Sequence, residues 1–404
     1  MDAVTYVILI IIAAAALVLL YASGMLRSGA QVLLAAALIA GAFVIRGLCM
    51  SHVTLDYEDF LSRWVAFYRE NGGFAALGQK IGNYNLPYLY FLCLFSYIGI
   101  DDLVLIKSLS IVFDVVLAWA AMKLAGQCSG SRAKAMAAFF LVLYLPTVVL
   151  NGAYWAQCDS IYVAFAVLAL YLALSGRGAA GMVCMAVSFA FKLQAVFVMP
   201  VFVVLLIAKK VKLWHFLLFP LSYVVLMLPA VLSGYPLLDT ITLYFDQMGT
   251  VGSALNYNSS SIYAFAGDVA NEQLASTLGI FAAFLLMAAV FAWAYTRRRS
   301  LSDSAILGLA LLLAVGIPYL LPHMHERYFF AADILSLLVA VTVPEYMVIA
   351  GLTQFASLLG YHAYLKMRYL LPMSYGAAAF VLVLAGAALY TATRMCSHGR
   401  RKNC

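Results

Sequence analysis

Residues 319–335 read YLLPHMHERYFFAADIL, so two histidines (His323, His325), Glu326 and Arg327 sit within five positions between two apolar runs. Those side chains can hold an anion, move a proton or ligate a metal ion. They do not form the zinc-protease pattern HExxH, because Tyr328 and Phe329 follow Arg327 where a histidine would be needed. A second group, Asp56, Glu58 and Asp59, gathers three carboxylates. Carboxylates suit general-base work or a hard divalent cation. A weak divalent site on these three is the one metal alternative; otherwise no metal and no cofactor is expected. Three further ionisable residues stand alone in apolar surroundings: Asp114 in KSLSIVFDVV, Asp159 in YWAQCDSIY and Lys192 in FKLQAVFVMP.

What surrounds them is hydrocarbon-like. The 404 residues are 66% hydrophobic and 10% charged, whereas a soluble domain is about half apolar and a quarter charged. Apolar runs recur from Val4 to Thr393, many long enough to cross a core of about 30 Å. Backbone amides facing lipid must be satisfied within helices or a closed barrel, and runs without alternation exclude the barrel. The fold class is therefore all-α, a polytopic transmembrane helical protein. Seven cysteines lie far apart with no CxxC, which gives neither a disulfide framework nor a zinc site. The net charge of +7 sits mainly in short basic loops and in residues 400–402. That pattern suits anionic lipid at the cytoplasmic face rather than nucleic acid. The run 4–21 has no basic stretch before it and reads as a retained span, not a cleaved signal. With no phosphate-binding glycine loop and no GxSxG, nucleotide-driven and serine-hydrolase functions lack their motifs. One membrane domain, 1–404, is the economical organisation.

Candidate spans are roughly 4–22, 30–48, 103–124, 134–151, 154–175, 179–194, 195–208, 213–232, 276–295, 303–321, 328–343, 347–365 and 371–393, about thirteen within a range of 11 to 14. Residues 86–100 are too short for a full crossing and read as a re-entrant or tilted piece. Arg27, Lys123, Arg132, Lys134, Arg177, Lys209, Lys210, Lys212, residues 297–299 and the basic tail 394–404 fall on one face, assigned to the cytoplasm. The other face receives the segments 49–85 and 233–275 and the turn 322–327. Lys366 and Arg368 also fall on that outer face, against the rule. In segment 56–71 the spacing of Phe60, Trp64 and Phe67 predicts an amphipathic interfacial helix with Trp64 at headgroup level.

Charge in a bilayer costs about 2.5–3.5 kcal/mol on insertion scales, so these residues need partners or work. The topology puts Asp159 and Lys192 at outer span ends, on the side of Asp56 and His325. All could meet in one outward-facing cavity. Structural alternatives stand beside this. Asp114 and Lys107 could form a pair two turns apart or each pair elsewhere. Asp159 could hold a neighbouring segment, and Lys192 could snorkel.

In this order and spacing, Asp56-Tyr57-Glu58 with Trp64, NYNLPYLYF from Asn83, KSLSIVFDVV, YWAQCDSIY, FKLQAVFVMP and PHMHERYFF resemble the motifs of the GT-C glycosyltransferases that use polyprenyl-phosphate sugars. The nearest likeness is to bacterial relatives of GPI mannosyltransferase II; the dolichyl-phosphate-glucose glucosyltransferases are more distant. Ala156 departs from a usual glycine, Leu86 from a common proline, and Arg327 from the lysine of the eukaryotic glucosyltransferases. The resemblance implies inverting transfer of a sugar, mannose or another hexose, from a polyprenyl-phosphate donor on the non-cytoplasmic face of a bacterial cytoplasmic membrane. The acceptor would be a glycan, glycolipid or protein. Asp56 would be the general base. Arg327, His325, His323 and Lys192 would hold the donor phosphate, and Glu58, Glu326, Asp159, Gln157, Trp155, Tyr84 and Gln194 would support or orient substrate. Segment 233–275, with LNYNSSSIYAFAGD, would be a lid or acceptor surface. The alternative is a transporter or flippase of a lipid-linked saccharide, which should show inverted repeats and paired broken helices; the sequence displays neither.

Overall fold

The computed structural model describes residues 2–250, 254–266 and 270–402, so Gly267 and Asp268 of the outer segment and the last two residues of the tail lie outside it. Among the described residues the regular structure is helical, apart from one pair of two-residue strands. Seven helices among the described residues are long and apolar enough to cross a membrane: Ala3–Ala22, Gly29–Cys49, Asp102–Ser129, Leu213–Leu232, Glu272–Thr296, Asp303–Leu320 and Met373–Cys396. Arg132–Tyr144 and Pro146–Tyr154, bent by 46° at their junction, make an eighth if counted as one span. The larger number expected from sequence also took in apolar helices shorter than a full crossing, Asp159–Leu174, Gly178–Phe191, Leu193–Ile207 and Phe330–Thr342, whereas Leu86–Phe95 is short as expected. Their shortness has a local cause at the site: polar residues interrupt them.

The span windows differ sharply in how they pack. That in Asp303–Leu320 is 83% buried and that in Glu272–Thr296 only 11%. The first lies at the centre of the bundle and the second presents its side chains to lipid. Asp102–Ser129 packs on Asp159–Leu174, and that helix on Gly178–Phe191. Asp102–Ser129 is also the ruler of the molecule, since 28 residues rise about 42 Å. At its start Asp102 pairs with Arg69 of the outer segment at 2.7 Å. At its end Cys128 O accepts from Ser304, beside Asp303, which pairs with Lys210 at 2.9 Å. Lys134 nearby donates to Thr342 O. The basic loops thus gather at one end, and the segments around Asp56, His325 and Lys366 at the other.

Two readings of the sequence meet the structure here, and for Lys107 and Asp114 the alternative in which each pairs elsewhere holds. Lys107 does not pair with Asp114. Its ammonium donates to Cys49 O, Met50 O and His52 O at 2.8, 3.1 and 2.6 Å, tying down the end of Gly29–Cys49. Asp114 instead faces Arg46, whose Nη2 and Nε lie 2.9 and 3.0 Å from Oδ2, while Ser160 donates to Oδ1 at 2.5 Å. Both partners are fully buried. Secondly, the interfacial helix forms as Ser62–Glu70, but a π-turn over Tyr57–Leu61 precedes it. The wider turn shifts the stripe that faces the protein to Leu61, Trp64, Val65 and Tyr68. Trp64 is therefore packed inward against Tyr84, with ring centroids 5.4 Å apart, instead of facing out from the protein. Gly82 makes room for it: its φ is +66°, and a Cβ there would lie 2.4 Å from the indole.

Candidate functional site

At the end opposite the basic loops, a cavity of about 470 Å³ is lined by Asp56, Tyr84, Lys192, Gln194, Tyr257, His325, Arg327, Tyr328 and Tyr364, among others. Several separated stretches of chain deliver these groups and their partners. Asp56 stands at the start of the π-turn, and Thr54 beside it donates to Trp155 O at 2.9 Å. The second stretch follows the bent span. A π-turn over Leu150–Tyr154 brings Trp155 inward, and Ala156 then adopts φ +68°. That left-handed residue turns the chain so that Gln157 points back towards Asp56. A side chain costs about 1–2 kcal/mol in this conformation, which accounts for the glycine usual at the position.

The Asp56 carboxylate accepts three hydrogen bonds. Trp155 Nε1 donates to Oδ2 at 2.9 Å, Gln157 Nε2 to Oδ2 at 2.5 Å, and Tyr364 OH to Oδ1 at 2.6 Å. Gln157 Oε1 accepts in turn from Tyr84 OH at 2.9 Å. Tyr364 also stacks on Trp155, centroids 4.6 Å apart.

Asp159, at the start of its helix, is buried and holds Lys192 Nζ at 2.6 Å. Asn151 Nδ2 donates to its other oxygen at 2.7 Å. Lys192 reaches inward because the helix Gly178–Phe191 ends there and its own backbone turns extended. Arg327 donates from Nη1 to Glu326 Oε1 at 3.1 Å and lies 3.9 Å from Asp159 Oδ2. Its guanidinium sits 5.4 Å over the Trp155 ring. Its Nε is buried and has no hydrogen-bond acceptor among the described residues. A planar, buried fork with a donor to spare is suited to an oxyanion. One indole therefore registers both groups: its N–H fixes Asp56 and its face carries Arg327.

The turn between Asp303–Leu320 and Phe330–Thr342 is braced by the outer segment. Asn256–Tyr257 and Met324–His325 pair as short parallel strands, and Tyr257 stacks on His325 at 4.7 Å. Burial, with Arg327 beside it, pushes the His325 imidazole down to about 3. It is a neutral ring at physiological pH, so its 3.9 Å approach to Glu326 is not an ion pair. Burial pushes Glu326 the other way, up to about 7, against the pull of Arg327.

Not every expected residue joins. His323 does not line the cavity: with φ +61° its N–H donates to Leu255 O and its ring lies 2.7 Å from Ala254 O. It clamps the outer segment. Glu58 and Asp59 are exposed, and Asp59 pairs with Arg63 at 3.2 Å. The three carboxylates of the weak divalent alternative are thus not assembled, since Asp56 turns inward. No group of three or more His, Cys, Asp or Glu among the described residues could hold a metal ion. Gln194 is buried against the cavity. Tyr364, Asn151 and Tyr361, whose hydroxyl accepts from Asn151 at 3.1 Å, were not expected; a tyrosine or asparagine near a span end carries no signal of its own.

A multi-span helical bundle with this carboxylate and guanidinium in one cavity has the features the GT-C resemblance implies. Residues 100–209 match the family model described as alpha-(1->6)-mannopyranosyltransferase, N-terminal domain. No curated protein matches the chain. That stretch is about a quarter of the chain and is similar to a mannosyltransferase, hence hexosyltransferase, family, while the helices make the chain a multi-pass membrane protein. The matched stretch contains Asp114, Trp155, Gln157, Asp159, Lys192 and Gln194.

Proposed function

We propose that the protein transfers mannose, with inversion, from a polyprenyl-phosphate donor to an acceptor hydroxyl on the non-cytoplasmic face of a bacterial cytoplasmic membrane. Asp56 takes the acceptor proton as that oxygen attacks the anomeric carbon. The bond from that carbon to the phosphate oxygen breaks, and polyprenyl phosphate leaves with one more negative charge. Arg327 receives that charge, with neutral His325 as a hydrogen-bonding partner and Lys192 close behind. Pre-aimed donors in a water-poor pocket are worth most at such a moment. Glu326 orients Arg327, while Gln157, Trp155 and Tyr84 hold Asp56 in place. Glu58 is exposed and has no role in this scheme. The whole chain acts as one membrane domain, with segment 233–275 as a lid or acceptor surface and the basic tail at the cytoplasmic end.

The observation that carries the reading is that Asp56 and Arg327, far apart in sequence, engage the same Trp155 ring at one cavity. The test is direct. Purified protein is given radiolabelled polyprenyl-phosphate mannose and a mannoside glycolipid. Transfer with inverted anomeric configuration supports the proposal. Transfer from a nucleotide sugar, or none from the lipid donor, overturns it.

A further inference from the structure

Lys366 and Arg368 are the two cations that break the charge rule for the outer face, and the donor pocket makes no use of them. Lys366 stands two residues beyond Tyr364, the tyrosine whose hydroxyl donates to Asp56. Its ammonium donates to Tyr154 OH at 3.1 Å and lies 5.6 Å from that ring. On the Tyr154 ring stacks His52, centroids 3.7 Å apart and planes 19° from parallel. The proton affinity of the His52 imidazole is lowered by burial, by Lys107 and by Lys366. None of His52, Tyr154 and Lys366 lines the cavity that holds Arg327. Tyr154 adjoins Trp155, and Lys366 follows Tyr364 closely, so this aromatic and cationic rim is tied to the two residues that donate to Asp56 from the indole and the hydroxyl.

Inversion requires the acceptor to enter opposite the leaving phosphate. We infer that His52, Tyr154 and Lys366 form the acceptor subsite, and that Lys366 selects an acceptor glycan bearing an anionic group close to the reacting hydroxyl. The inference rests on the transferase reading above. Aromatic faces suit the apolar face of a sugar ring, and an exposed ammonium attracts a phosphate or carboxylate without burying it. A cation kept on the outer face against the topological preference is then accounted for by its substrate.

The test uses the full chain in nanodiscs, labelled polyprenyl-phosphate mannose, and two acceptors that differ in charge alone, an alkyl dimannoside and its alkyl-phosphate-linked counterpart. The readout is the ratio of kcat/KM for the anionic over the neutral acceptor. Wild type favours the anionic acceptor. Lys366→Ala lowers the ratio by about fivefold, the scale of one exposed ion pair, and Lys366→Glu by about tenfold. Lys366→Arg restores it, and added salt narrows it in wild type more than in Lys366→Ala. A ratio unmoved by charge at this position overturns the inference. So does dependence on Lys366 that follows the phosphatidylglycerol content of the disc instead of acceptor charge, because Lys366 then serves the lipid surface. If neither acceptor is mannosylated, the transferase proposal fails; if both are and the ratio stays fixed, only this inference does.

Discussion

Replacing Asp56 by asparagine separates chemistry from architecture, because the site's geometry lets the amide fill the same place. Two of the three bonds to Asp56 end on one oxygen, Oδ2, from Trp155 and Gln157. An asparagine carbonyl set there keeps both. Its NH₂ then faces Tyr364, whose hydroxyl turns from donor to acceptor. The exchange loses charge assistance but leaves no buried group unpaired, so the stability change should be about 1 kcal/mol. Proton abstraction is a different matter, since the amide has no basic site. A positioned general base contributes about 10²–10⁴-fold, or about 3–5 kcal/mol of barrier. The assay measures labelled mannose passed to glycolipid under saturating donor, alongside equilibrium binding of the polyprenyl-phosphate donor to the same protein. Asp56→Asn should express normally, bind donor within about threefold of wild type and lose at least about 10²-fold in kcat. Turnover within about tenfold of wild type refutes the assignment of Asp56 as base. Loss of donor binding with turnover would instead make Asp56 a binding group.

Two other perturbations probe the surroundings. Glu326 is held protonated up to about 7 because burial disfavours its charge, so raising the pH through that point adds an anion beside Arg327. The donor phosphate then meets a guanidinium already neutralised. Donor KM should rise between about pH 6 and about pH 8, and Glu326→Gln should flatten the rise; an equal slope in the variant would exclude Glu326 as its source. For the buried Arg46–Asp114 pair, Arg46→Met leaves a carboxylate without its counter-charge. This costs about 3–5 kcal/mol, most of it recovered when Asp114→Leu is added. Thermal midpoints in nanodiscs report both changes, and a double variant no more stable than the single one would refute the pairing as the cause.

Much of the site was legible because the bilayer makes charge costly. Asp159, Lys192 and Arg327 announce themselves in apolar sequence, and the basic loops set the ends between which they must meet. Legibility failed where the decisive group is an ordinary one. Asp114 pointed to a partner, and Lys107 lay nearby in sequence, yet Arg46 on another helix takes it. Spacing along one helix does not report which neighbour packs against it. His323 and His325 differ by one intervening residue, but a left-handed backbone at His323 and two hydrogen bonds to the outer segment turn it from the cavity. Residue type carries no sign of that dihedral. Trp64 had the right period for a membrane face and the wrong register, because a π-turn adds a residue's width before the helix.

Ala156 joins the two levels. The resemblance marked it only as a departure from glycine. The structure gives that departure a physical content: the residue keeps φ +68°, and its neighbours over-determine the bend. Trp155 N–H donates to Leu150 O, Ala156 N–H to Gly152 O, and Gln157 N–H to Asn151 O. Gly152 sits where a Cβ would lie 3.1 Å from Ser110 Cβ, so the π-turn is pressed against the helix Asp102–Ser129. That packing and those three bonds hold a conformation that alanine alone would leave. Its product is the placement of Trp155 and Gln157 against one carboxylate oxygen. The strain and the hydrogen bonds to Asp56 thus belong to one turn of chain, lying within the residues that match the mannopyranosyltransferase model.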